Sequence, residues 1–60
     1  MSTNEEIDQM LEDCEDRISK LSEWEVNFVA SLRARQEKGY SITDKQDETL
    51  EKIWNKVTGG

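Results

Sequence analysis

Apolar residues recur three and four positions apart along nearly the whole chain. Ile7, Met10, Leu11, Cys14, Ile18 and Leu21 fall on one stripe of a first helix. Trp24, Phe28 and Leu32 mark one side of a second helix, with Val29 beside them. Leu50, Ile53, Trp54 and Val57 follow at i, i+3, i+4 and i+7 on a third. Proline is absent and no stretch alternates with a period of two, so the pattern predicts an all-α fold. The expected architecture is an acidic N-terminal amphipathic helix over 1–21 followed by an antiparallel helical hairpin over 22–60. These elements close as a three-helix bundle or pair with another copy as a dimeric helical assembly.

Helix starts and stops are written locally. Ser2 or Thr3 can cap the first helix, with Glu5 or Glu6 at the third position. Ser22-Glu23-Trp24-Glu25 is a capping box, in which the Ser22 hydroxyl caps the Glu25 N–H and the Glu25 carboxylate reaches back. Leu21 and Val26 flank it as a hydrophobic staple. Thr43-Asp44-Lys45-Gln46 offers the same reciprocal cap, and Gly39 is placed to end the helix between them. The second helix is therefore expected from Glu23 to Lys38 and the third from Asp44 to Val57. Lys38 and Asp44 each suit the dipole at their helix end.

A competing pattern runs through the first break. Ile7, Leu11, Cys14, Ile18, Leu21, Phe28 and Leu32 form a near-continuous heptad, with Glu25 as its one polar member. Read this way, the first two helices are a single rod of about 35 residues, roughly 50 Å long. Neither glycine nor proline lies between Lys20 and Ser22 to stop it. A rod with that seam would dimerise, and Cys14 could then meet its twin. The capping box and staple favour a break, and both architectures stay open at this stage.

Charge makes the two parts of the chain unlike. The net charge is −6, with hydrophobic residues at 33% and charged residues at 37%. Residues 1–21 carry seven acidic groups against Arg17 and Lys20, a balance of −5, and the remainder balances at −1. Such a surface repels nucleic acid and anionic membranes unless a local basic patch intervenes. A 60-residue chain buries only about 60% of its unfolded surface, so a partner or second copy would add stability. No apolar run approaches a membrane span and no signal-peptide pattern opens the chain, which points to the cytoplasm.

Catalytic chemistry is poorly supplied. With no histidine and one cysteine, the chain lacks a triad, a Cys–His pair and a zinc set. Its acids also lack the alternating oxygen ligands and central glycine of a calcium loop. The expectation is a protein that is not an enzyme and needs no metal or other cofactor. Cys14 sits on the apolar stripe as a small buried residue.

Two charge patterns are candidates for binding. Glu5, Asp8, Glu12 and Asp16 align on one face of the first helix, about 5–6 Å apart where one turn separates them. That spacing approaches the phosphate repeat of a nucleic-acid strand, so the face suits the basic groove of a nucleic-acid enzyme. It is equally the pattern of any solvated helix face. Arg33, Arg35, Lys38 and Lys45, with Tyr40 among them, surround the hairpin tip, where cations meet phosphate and a base stacks on the ring. Local pairs such as Arg33–Glu37 account for these cations as well. Trp24, Phe28 and Trp54 are assigned to the core of the helix pair, the alternative being one exposed indole that anchors a partner. Gly59-Gly60 reads as a frayed tail.

The stretch Leu21 to Val57 contains Ser22, Trp24, Glu25 and Phe28, then Thr43, Lys45 and Gln46, followed by Leu50 and Ile53. In this it resembles a short helical-hairpin module found in small phage and prophage proteins of unassigned function. The resemblance covers about two thirds of the chain and leaves out the acidic helix. It implies a helical hairpin and a phage origin, and it carries over no catalytic residue. Phage proteins of this size favour binding and redirecting host machinery, which places the chain in the host cytoplasm. The expected function is a non-enzymatic interaction protein that binds and modulates a host protein, such as a nucleic-acid enzyme, through its acidic helix. A nucleic-acid-binding accessory protein using the basic tip is the alternative from a second class, although the net charge disfavours direct nucleic-acid binding. A structural homodimer or higher homo-oligomer is a third.

Overall fold

A computed structural model describes residues 3–59. Among them are three α-helices and no strand: α1 (Asn4–Asp16), α2 (Glu23–Glu37) and α3 (Asp44–Thr58), with a short 3-10 turn at Ile18–Lys20 between α1 and α2. All three helices open on the same device. Thr3, Ser22 and Thr43 are extended N-caps whose hydroxyls accept from the N–H of Glu6, Glu25 and Gln46. Each of those three side chains in turn accepts from the backbone N–H of its cap, at 3.1, 2.8 and 2.9 Å. Two orphan donors are thereby satisfied at every helix start. Ser2, the other candidate cap, lies outside the described residues.

The end of α2 is equally local. The Gly39 N–H donates to the Gln36 carbonyl and the Tyr40 N–H to the Arg35 carbonyl, a Schellman pair. It requires a left-handed residue at its centre, and Gly39 has φ +81°. Gly59 ends α3 in the same conformation, with φ +77° and its N–H bonded to the Asn55 carbonyl, so it is a cap rather than a frayed end.

The first helix is shorter than its apolar stripe suggested. It stops at Asp16, the chain tightens through the 3-10 turn, and Leu21 and Ser22 are extended. The single rod does not form. Ile18, which would sit in its seam, is 50% exposed. Glu25, the polar member of the heptad, instead serves the cap of α2 and an ion pair to Lys56.

Interhelical contacts give the directions. Gln36 near the end of α2 donates to the Asn4 carbonyl at the start of α1. Lys56 near the end of α3 meets Glu25 at the start of α2. Trp54 of α3 donates to Asp13 near the end of α1. The chain therefore runs up, down and up, with α1 packed against both other helices. Ile7, Met10, Leu11 and Cys14 from α1 meet Val29 and Leu32 from α2 and Leu50, Ile53 and Val57 from α3.

The aromatic residues are not the centre of this core. Leu21, Phe28, Ile42 and Trp54 pack at its margin, and Trp24 is 60% exposed, stacked on Phe28 with centroids 5.4 Å apart. The reason is helical phase. The inward line of α2 runs through Glu25, Val29 and Leu32, and Trp24 lies about 100° away from Glu25, on the flank.

Removing one cap tests how far the bundle depends on these local signals. Ser22→Ala is expected to lower unfolding free energy by about 1 kcal/mol, read as a lower urea midpoint at an unchanged slope. An unchanged midpoint would mean that the reversal after α1 is held by packing alone.

Candidate interaction surface

The acids of α1 separate into two groups according to what the other helices offer them. Arg33, on the flank of α2 that faces α1, makes a two-pronged contact with Glu15, Nε and Nη2 each donating at 3.0 Å. Its Nη1 donates to Asp8. Glu15 first, and Asp8 with it, hold the guanidinium more firmly protonated than usual despite partial burial. Asp13 accepts from the Trp54 indole N–H at 2.9 Å and from Gln9 at 3.1 Å, with Arg17 nearby. The indole bond does most to hold the Asp13 carboxyl below its ordinary 3.8, with loss of hydration opposing it. Glu6 is occupied in the first capping box.

Glu5, Glu12 and Asp16 remain. All three are exposed, and among the described residues none has a hydrogen-bond or ion-pair partner. Spaced by seven and four residues, they form a line about 16 Å long on the outer side of α1. Asp8 shares that side and stays accessible, but Arg33 answers its charge. The four acids singled out from the sequence therefore divide into three unanswered charges and one that is part of the fold. Asp13 and Glu15 are the structural acids that helical spacing did not mark.

The basic tip is only partly assembled. Arg33 faces α1, not Glu37, and is separated from the other cations by its own acids. Arg35 lies over the Tyr40 ring, 5.8 Å from its centroid, and donates to the Ser41 carbonyl. Lys38 and Lys45 are exposed nearby. Thus Arg35, Lys38, Tyr40 and Lys45 share the loop end of the hairpin.

Cys14 is fully buried, and burial, with Asp13 and Glu15 next, pushes its thiol up to about 11. Among the described residues no group of three or more acids, cysteines or histidines could hold a metal ion, and no helix is long and apolar enough to cross a membrane. The surface thus defines a small helical bundle in which the outer side of α1 is acidic and uncompensated among the described residues. No family model matches the chain, and neither the curated proteins nor the solved structures yield a match.

Two measurements check these assignments. Lys56 and then the Ser22 N–H hold the Glu25 carboxyl below its ordinary 4.5. Asp13 and Glu25 are both depressed in the folded state. Their contribution is complete above the ordinary values and is lost as pH falls through the lower folded ones. Urea midpoints should drop below about pH 4.5, and Trp54→Phe should flatten part of that acid slope by removing the share of Asp13. An identical slope in the variant would show that the indole bond is not what lowers Asp13. The second measurement uses Ellman's reagent at about pH 8, which should label Cys14 only after denaturant opens the core. Rapid labelling of the native protein would contradict its burial.

Proposed function

We propose that this protein is a non-enzymatic binder that lays the outer side of α1 on a basic surface of a larger protein. Glu5, Glu12 and Asp16 support the reading: they are the acids of α1 that the fold itself leaves unanswered. A line of unpaired carboxylates on a rigid helix costs little to organise on binding and steers a positively charged partner toward it. The phage-module resemblance of residues 21–57 supplies the setting, a phage-derived protein acting in a host cell. The target in this reading is a nucleic-acid enzyme, whose phosphate-binding groove offers the cations that the stripe requires. Occupying that groove would inhibit the enzyme.

The substitution set follows from the ion pairs. Asp8 must be spared, because reversing it would place a cation against Arg33. Glu5→Lys, Glu12→Lys and Asp16→Lys together should keep the helical circular-dichroism signal and the urea midpoint near those of the wild type. The same variant should lose the salt-sensitive capture of a nucleic-acid enzyme from bacterial lysate, and with it any inhibition of the captured enzyme. Capture that survives the triple reversal would remove this function.

A further inference from the structure

The remaining cations are gathered on the other side of the molecule. Trp24, Phe28, Arg35 and Lys38 recur at helical spacing on the flank of α2 that turns toward α3. Lys45, Lys52 and Lys56 recur on the facing flank of α3. The Lys56–Glu25 pair ties the end of α3 to the start of α2, and at the other end Arg35 bonds Ser41 in the loop that leads into α3. Together the two flanks carry five of the eight cations of a chain whose net charge is −6, with one exposed carboxylate, Glu48, between Lys45 and Lys52. Glu25 reaches Lys56 from the inward line of α2. Exposed Trp24 on Phe28 at one end and exposed Tyr40 at the other add apolar surface.

We infer that a second copy of this chain occupies the face, with its Glu5, Glu12 and Asp16 stripe against Lys45 and Lys52 and its α1 backbone against Trp24. Charge complementarity selects this occupant. Five cations against Glu48 and Glu25 leave this face positive in an acidic molecule, and the α1 stripe lies on the opposite side of the same bundle, beyond reach within one chain. Such a contact joins unlike surfaces, so each added copy leaves a free stripe at one end and a free face at the other, and assembly proceeds head to tail. Trp24 is the kind of residue that carries binding energy at the centre of an interface. Net repulsion between copies does not prevent it. At 0.1 M salt the screening length is about 10 Å, whereas the bundle is 18 Å across its shortest extent. Ion pairs in contact are screened far less. The stripe is the one assigned above to a larger partner, so the two occupants exclude each other. Self-association is nevertheless measured on the purified protein and stands or falls apart from that function.

Sedimentation equilibrium at 0.1 M NaCl, from micromolar to about millimolar protein, tests the inference with two variants. One carries Glu5→Gln, Glu12→Gln and Asp16→Asn and keeps the cationic face. The other carries Trp24→Ala, Lys45→Glu and Lys52→Glu and keeps the stripe, with Lys56 spared because it pairs with Glu25. The wild type should gain mass with concentration beyond the dimer, each variant alone should remain monomeric, and their mixture should stop at a dimer. In a dilution series followed by amide and indole NMR, the Glu12 and Trp24 signals should move together while the Trp54 indole, bonded to Asp13, stays still. A wild type that remains monomeric throughout overturns the inference. So does a neutral-stripe variant that associates as well as the wild type, which would mean face meets face. A monomeric wild type whose Trp24 signal shifts on adding oligothymidylate would assign the face to single-stranded nucleic acid instead.

Discussion

The carboxylate of Glu25 accepts from the Ser22 backbone N–H and from the Lys56 ammonium, so one side chain both starts α2 and ties that start to the end of α3. The bundle depends on this arrangement. If α2 did not begin at Ser22, the apolar repeat from Ile7 to Leu32 would continue as one rod. Val29 and Leu32 would then be carried away from Leu11 and Cys14, and α3 would have no groove to fill. In the observed fold an exposed Ile18 and a half-buried Leu21 accompany a reversal that brings all three helices onto one core.

That core is small, and α1 is its central member. Among the described residues, four of its nine buried apolar side chains come from α1, which packs on both neighbours. An acidic helix in such a position needs its charge managed, and the bundle does so selectively. Arg33 answers Asp8 and Glu15, and Trp54 with Gln9 answers Asp13, all on the flanks where α2 and α3 approach. The outer side receives no such compensation, which is why the acidity of α1 is a surface property of the folded protein and not merely of its composition.

Much of this was legible in the sequence because the helix boundaries are set by short-range chemistry. Ser22 with Glu25, Thr43 with Gln46, and Gly39 each act within four residues, and each acts where spacing placed it. The end of α1 was not legible, since no glycine or proline marks it and the 3-10 turn at Ile18–Lys20 follows from the need to fold back. Trp24 was assigned to the core because it shares a stripe with Phe28 and Leu32. Which stripe turns inward, however, is decided by two other helices. The same limit applies to the binding surface. The alignment of Glu5, Asp8, Glu12 and Asp16 is a property of one helix, but the loss of Asp8 to Arg33 joins positions 25 residues apart in sequence. Interhelical register decides such pairs, and a pattern within one helix does not contain it.

The repeated capping box also bears on how quickly the bundle assembles. Each helix carries its own two-bond start signal, so the costly first turn can form without waiting for a distant segment. The closing contacts then join elements already shaped, a route that allows helical bundles to fold in microseconds to milliseconds. With no proline in the chain, no peptide bond imposes an isomerisation delay of tens of seconds or more. A freshly synthesised copy would thus reach its charge-sorted form almost as soon as its last turn is free.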